Sequence, residues 1–265
     1  MLNRQDFRKV FRERAVIGMV HLKALPGAPM FSGSMAEVID AAVRDAHSLS
    51  SGGCDGLGVE NFGDRPFFKT QVPPETVAAM TRVVAAIASE VRIPIGVNVL
   101  RNDPHAALAV AAATGAAFIR INVHTGAMVT DQGIIEGDAA ETLRTRARIA
   151  PGVLIFADYL VKHATPLGPQ SAKDLRLRGL ADAIIITGSE TGSAADPKRL
   201  SALREEIDAP LLIGSGIDEK NASQFASADG AIVGTAMKRN GAVDAEVEIE
   251  RVERIVRAFK DAGGR

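Results

Sequence analysis

Short runs rich in valine, isoleucine and alanine recur eight times along these 265 residues, each followed by a longer stretch with helical spacing. The runs are AVIGMVHL from Ala15, CDGLGVEN from Cys54, IPIGVNVL from Ile93, AAFIRINVH from Ala116, GVLIFADYL from Gly152, ADAIIITG from Ala181, APLLIGSG from Ala209 and ADGAIVGT from Ala228. Strands alternating with helices give a parallel sheet, and eight is the number that closes into a barrel. The helical stretches carry their own punctuation. MAEVIDAAVRDAHSLSSGG ends in glycines that suit a helix C-terminus, and NDPHAALAVAAATG offers Asp103 as a cap with Pro104 in the first turn. No linker or low-complexity tract divides the chain, so residues 1–265 are expected to form a single-domain (β/α)8 barrel. The opening RQDFRKVFRER sets Phe7, Val10 and Phe11 on one helical face, the expected cap for the barrel bottom. An open doubly wound sheet is the rival architecture. It normally brings a glycine-rich turn after the first strand, and HLKALPGAP lacks one.

Several classes of function fall away on composition. The net charge of −1 draws nothing toward nucleic acid or anionic membrane, and 4% aromatic content without tryptophan provides few stacking platforms for bases. Cys54 is the single cysteine, which excludes a disulfide framework and fits a reducing cytoplasm. The N-terminal MLNRQDFRKVFRER has no apolar core and does not read as a signal peptide. The longest apolar stretch, Ala106 to Val123, is interrupted by Gly115, Arg120 and Asn122, so no membrane span is expected.

Two glycine-bearing loops point to a ligand. In such barrels the active site sits at the C-terminal ends of the strands, and a phosphate often lies between the last two loops. After the seventh run, Gly214, Ser215 and Gly216 let backbone N–H groups approach an anion. After the eighth, Gly234 and Thr235 open a short helix whose N-terminus presents free N–H groups and the positive end of a dipole. The competing explanation is a pair of tight turns that need glycine only for positive φ. Lys238 fits either a further phosphate contact or a solvated surface charge.

Strand alternation supplies the chemistry. In FIRINV, Ile119, Ile121 and Val123 should face the helices, which turns Phe118, Arg120 and Asn122 into the barrel. The same parity turns Gly58 and Glu60, Gly96 and Asn98, and Phe156 and Asp158 inward. A buried Arg120 requires a carboxylate, and Glu60 and Asp158 are the candidates; a purely structural ion pair is the alternative. Around this ring lie His21 and Lys23 after the first strand, His124 after the fourth, and Lys162 and His163 after the fifth. Histidines so placed suit acid–base work, whereas His47 and His105 on helices do not. Lys23 or Lys162 fits either a Schiff base or the holding of a second anionic group. Metal ligation by His21, Glu60 and Asp158 is conceivable, but no close-spaced ligand motif supports a metal and no motif requires a cofactor. The polar loop Thr187 to Ser193 suits hydrogen bonding to a ligand or movement as a lid, and equally fits a flexible surface turn.

The strings VIGMVHLKALPGAP, VENFGDRPF, GVNVLRND, FIRINVHTGAMVTDQG, FADYLVKHATPLG and ITGSETG resemble the BtpA/SgcQ family from about Ala15 to Gly241. The resemblance implies a phosphate-binding (β/α)8 barrel related to the ribulose-phosphate-binding group. One member is named for photosystem I biogenesis in cyanobacteria and another for a gene cluster concerned with sugar uptake. No reaction is carried across by it. His21, Glu60, Asn61, Asp64, Asn98, Arg101, Asn122, Asp158, Lys162 and His163 fall inside the resembling strings.

Two functions follow as expectations. The first is a cytoplasmic enzyme, a lyase, isomerase or glycosidic-bond-cleaving catalyst, acting on a small phosphorylated sugar or nucleotide-like metabolite. Glu60 and Asp158 would serve as base and acid with Lys162 nearby, and His21 and Asn122 would stabilise charge on oxygen. Ligand contacts would come from Gly214, Ser215, Gly216, Gly234, Thr235, Asn98, Arg120, His124 and Thr187. The second is a non-catalytic accessory factor in membrane-complex biogenesis. A homo-oligomer is compatible with either.

Overall fold

Eight of the apolar runs form the staves of a closed parallel barrel: β1 (Ala15–His21), β2 (Gly56–Glu60), β3 (Ile95–Asn98), β4 (Phe118–Ile121), β7 (Leu154–Tyr159), β9 (Ala183–Ile186), β10 (Leu211–Ile213) and β11 (Gly230–Val233). They are hydrogen-bonded in that order, and β11 closes on β1. The computed structural model describes residues 1–188 and 195–263. Helices α2 (Met35–Ser51), α3 (Pro74–Glu90), α4 (Pro104–Thr114), α5 (Ala139–Ile149), α6 (Ala172–Leu177), α7 (Pro197–Glu206) and α8 (Ile249–Asp261) surround it. The expected punctuation of α4 is present: Asp103 accepts from the Ala106 N–H, Pro104 opens the helix, and Gly115 ends it at φ 75. Between β10 and β11 the chain makes only a 3-10 turn, Ala222–Phe225, in place of a helix.

The barrel interior is layered. Its lower half is apolar: Ile17 and Met19 of β1, Phe118 of β4, Phe156 of β7, Ile185 of β9, Leu212 of β10 and Ile232 of β11 form one buried cluster. Helix α1 (Arg4–Phe11) inserts Phe7 and Phe11 into it. Phe118 and Phe156 stack at 4.4 Å between ring centroids, and Phe11 meets Phe118 edge-on at 5.6 Å. Each fully buried ring contributes roughly 1.5–3 kcal/mol from area alone. Val10 departs from the expected plug and is 42% exposed. At 100° per residue Phe7 and Phe11 lie 40° apart, and Val10 falls a further 60° round the helix from Phe7, off that face.

One element was not read from the sequence. Between β4 and α5 the chain forms a hairpin, β5 (Ala127–Thr130) and β6 (Gly133–Glu136), which pairs antiparallel with β8 (Thr165–Pro166). Its turn places Gly133 at φ 94. The signal was present: a polar DQG turn between two short apolar runs is a hairpin pattern. The hairpin brings Asp131 over the mouth of the barrel. None of the described helices is long and apolar enough to cross a membrane.

Candidate active site

Above the apolar layer the interior becomes polar, and the register explains which groups meet. His21 of β1 pairs with Glu60 of β2, and Glu60 with Asn98 of β3, so three inward side chains share one level. Asn98 Nδ2 donates to Glu60 Oε2 at 2.6 Å, and His21 Nε2 lies 3.9 Å from Glu60 Oε1. Asn98 therefore orients Glu60 and does not itself line the cavity above. Across the barrel, Arg120 holds Asp158 with two parallel bonds, Nε to Oδ1 and Nη2 to Oδ2, both 3.0 Å. Asn122 Nδ2 adds a third bond to Asp158 Oδ2 at 2.8 Å. Burial alone would lower the Arg120 guanidinium, but Asp158 and Glu60 more than offset it and hold it above its ordinary value.

Asp158 departs from its expected role as an acid. Its side chain is 0% exposed, its oxygens are occupied by three donors, and it lies beneath the cavity without lining it. It is a positioning residue for Arg120 and Asn122. Of the two, Glu60 is the carboxylate that reaches the cavity wall.

A cavity of about 280 Å³ joins the glycine loops to this layer. Gly214, Ser215 and Gly216 close one side, Gly234 and Thr235 another, and His21, Glu60, Arg120 and Lys162 form the floor and far wall. Thr235–Met237 is a single 3-10 turn. Positive φ explains only Gly216, at φ 73. Gly214 and Gly234 are needed for room: a Cβ on Gly234 would lie 2.8 Å from His21 Cε1, and one on Gly214 would lie 2.7 Å from Thr187 Cγ2.

His21 is neutral here. Burial, reinforced by the charges of Lys238, Lys162 and Arg120, pushes its imidazole down to about 3. Its Nδ1 is buried without a hydrogen-bond partner among the described residues, as is Asn122 Oδ1. Orphaned buried acceptors or donors at a cavity wall mark positions that a ligand satisfies. Lys162 is also pulled below its ordinary value, first by burial and then by Arg120. It is flanked by Leu160 at φ 57 and His163 at φ 56, two non-glycine residues in the left-handed region. Strained backbone of this kind clusters at functional sites.

Other expected residues lie elsewhere. His124 is buried outside the cavity, with Nε2 2.7 Å from the Gly179 carbonyl oxygen, because β4 ends at Ile121 and strand parity no longer governs it. Thr187 donates to the Leu160 carbonyl at 3.0 Å and packs beside Gly214; residues 189–193 of its loop lie outside the described residues. Lys238 is not a surface charge and does not line the glycine-loop cavity: it is buried, 3.4 Å from Asp45 and 2.8 Å from the Ala245 carbonyl. Lys23 is exposed on a neighbouring surface. Asn61 and Asp64 pin the loop after β2, accepting from the Leu100 and Leu25 N–H groups. Among the described residues, no three His, Cys, Asp or Glu side chains gather as a metal would need.

Residues 12–261 match the family model described as the BtpA family. The chain belongs to the BtpA family. It is 45% identical over 252 residues to the photosystem I biogenesis protein BtpA of Synechocystis, covering 93% of this chain and 88% of that one. It is 36% identical over 253 residues to the sgc region protein SgcQ of Escherichia coli K12, covering 92% and 93% respectively. Among solved structures, a thiamine phosphate pyrophosphorylase from Pyrococcus furiosus superposes with a TM-score of 0.61 at 14% identity, covering 97% of this chain and all of that one. That likeness is one of fold. One cavity residue of this BtpA-family chain, Arg251, has no signal in the sequence. Arg251 of α8 lines the glycine-loop cavity and donates to the Ala236 carbonyl at 2.9 Å, but in IERVERIVRAFKD nothing distinguishes it from the other charges. Arg101 lies within a resembling string but carries no motif of its own, and it lines an adjoining lobe.

Proposed function

We propose that this chain is an enzyme that binds a small phosphorylated metabolite and moves a proton on it. The observation that carries the reading is the single cavity shared by two glycine loops and by Glu60, His21 and Lys162. The phosphate sits among the backbone N–H groups of Gly214–Gly216 and Gly234–Thr235, with Arg251 supplying charge. Glu60, held by Asn98, takes and returns the proton. Neutral His21 hydrogen-bonds the substrate oxygen where charge develops, as an uncharged imidazole can when one nitrogen bears the proton. Lys162 stands on the wall that this cavity shares with an adjoining lobe. Sugar-phosphate isomerisation and lyase reactions both use a proton transfer of this kind beside a stabilised oxyanion. The likeness in fold to a thiamine phosphate pyrophosphorylase, whose name carries a phosphate ester, accords with it.

The test is a thermal-shift screen with inorganic phosphate, pentose and hexose phosphates and nucleoside monophosphates, followed by turnover of the ligands that bind. A ligand at a hundred times its Kd adds about 2.7 kcal/mol, or roughly 5–10 °C for a chain of this size. Thr235→Asp should abolish the shift through charge repulsion. It is a cleaner probe than a substitution at Gly234, which would strike His21. Glu60→Gln should retain binding and lose turnover. A shift indifferent to Thr235→Asp would overturn the phosphate site, and full turnover in Glu60→Gln would remove the carboxylate from the mechanism. The Synechocystis relative's name supports a second reading, an accessory factor in assembly. Absence of any ligand shift would favour it.

A further inference from the structure

The glycine-loop cavity opens into a second lobe of about 320 Å³ that the proposed proton transfer does not use. The two share Glu60, Phe62, Arg120 and Lys162 as a common wall. Arg101 lines the far side of this lobe and is 7% exposed. A guanidinium has five N–H donors. Among the described residues that of Arg101 donates to one acceptor, the carbonyl oxygen of Lys162 at 2.8 Å. Neither Arg101 nor Lys162 has a carboxylate within 4.0 Å among the described residues, although Glu60 and Asp131 line the same lobe. Burial draws both cations below their ordinary values. Buried Arg101 and half-buried Lys162 thus face the lobe without a paired anion, an arrangement that an anion arriving from outside would complete. Asn122 supplies a second, independent sign. Its Nδ2 is committed to Asp158, so its buried Oδ1 has no partner and requires a donor from the ligand.

We infer that the second lobe receives a second anionic group of the same ligand, a carboxylate or a phosphate held by Arg101 and Lys162, with a ligand hydroxyl donating to Asn122 Oδ1. The substrate is then a polyhydroxylated compound with an acid group at each end. This rests on the glycine loops being the phosphate site, and the experiment separates the two claims.

Binding is measured calorimetrically for inorganic phosphate and for matched ligands that differ at the far end: glycerol 3-phosphate against 3-phosphoglycerate, glucitol 6-phosphate against 6-phosphogluconate, and fructose 6-phosphate against fructose 1,6-bisphosphate. The expected result is at least a tenfold tighter Kd for the doubly anionic member of one or more pairs. Comparison of the carboxylate pairs with the bisphosphate pair tells which anion is taken. Arg101→Gln should erase that preference while the Kd for inorganic phosphate stays the same. Should Arg101→Gln fail to fold, Lys162→Met decides by the affinity difference within each pair, which should vanish whatever its effect on inorganic phosphate, since Lys162 also lines the glycine-loop cavity. Equal affinities within every pair, in a protein that binds inorganic phosphate, would overturn the second subsite and leave the first intact. Failure of the wild-type chain to bind inorganic phosphate or any phosphate ester would overturn both. A preference that survives in the variants would overturn the assignment to Arg101 and Lys162.

Discussion

Replacing Asp158 by asparagine tests whether the polar layer is built around the Arg120 pair. The guanidinium is 7% exposed and the carboxylate 0%, and among the described residues Asp158 is the carboxylate that Arg120 holds, through two parallel 3.0 Å bonds. Removing the charge of one member of a buried pair typically costs about 3–5 kcal/mol, because the other stays buried and uncompensated. Asn122 also loses a charged acceptor, a bond worth roughly 1.5–3 kcal/mol when the partner is ionised, although an asparagine oxygen recovers part of it. Glu60 works the other way, since its charge already acts on Arg120 and softens the loss. The net expectation is about 3–4 kcal/mol. It is read as a lower urea midpoint with an unchanged m-value, or as a fall in Tm on the order of 10 °C. The double substitution Arg120→Met with Asp158→Leu should recover most of this, ending about 1–2 kcal/mol below the wild type because Asn122 has lost its acceptor. A loss under about 1 kcal/mol in Asp158→Asn would refute the reasoning: Arg120 would then be solvated or paired with Glu60. A double variant no better than the single would refute the charge explanation and leave packing as the cause.

Two further outcomes are expected from the same geometry. The folded chain holds His21 neutral down to about 3, whereas the unfolded chain protonates it near 6.5, so the unfolded state binds the extra proton between these values and stability falls as pH drops. From pH 7 to pH 5 the loss is about 2 kcal/mol, and urea titrations should show it removed in His21→Asn; parallel curves for the two proteins would contradict the buried neutral imidazole. Gly96→Ala should cost about 1–3 kcal/mol, since the Phe118 ring occupies the space of its Cβ, whereas Gly152→Ala meets nothing and should be neutral or slightly stabilising in thermal melts.

Which parts of this molecule were legible in the chain follows from the range of the interactions that fix them. Backbone periodicity is local, so the eight strands and the inward set Glu60, Asn98, Arg120, Asn122 and Asp158 could be read directly. Within a strand, parity allows no other choice. Pairing among those side chains depends on the stagger between strands, which no single strand records. Arg120 had two carboxylates to choose from, and the barrel gave it Asp158 while setting Glu60 level with His21 and Asn98. Parity also lapses where the strand ends, which is why His124 turned away from the cavity while Thr187, one residue beyond β9, stayed beside Gly214. Long-range partners were the least legible. Lys238 is buried because Asp45, 193 positions earlier, waits on α2, and Arg251 reaches the glycine loops because α8 packs on β1 and on the 3-10 turns that precede and follow β11. The same logic bears on the site itself. Asp158 has the sequence setting of a catalytic acid and the structural setting of a brace, and Glu60 alone combines the inward strand position with an open wall. On the proposed reading, chemistry falls to the residues whose polar atoms face the cavity: Glu60, His21 Nδ1 and Asn122 Oδ1, beside Lys162 and Arg101, neither of which has a carboxylate within 4.0 Å among the described residues.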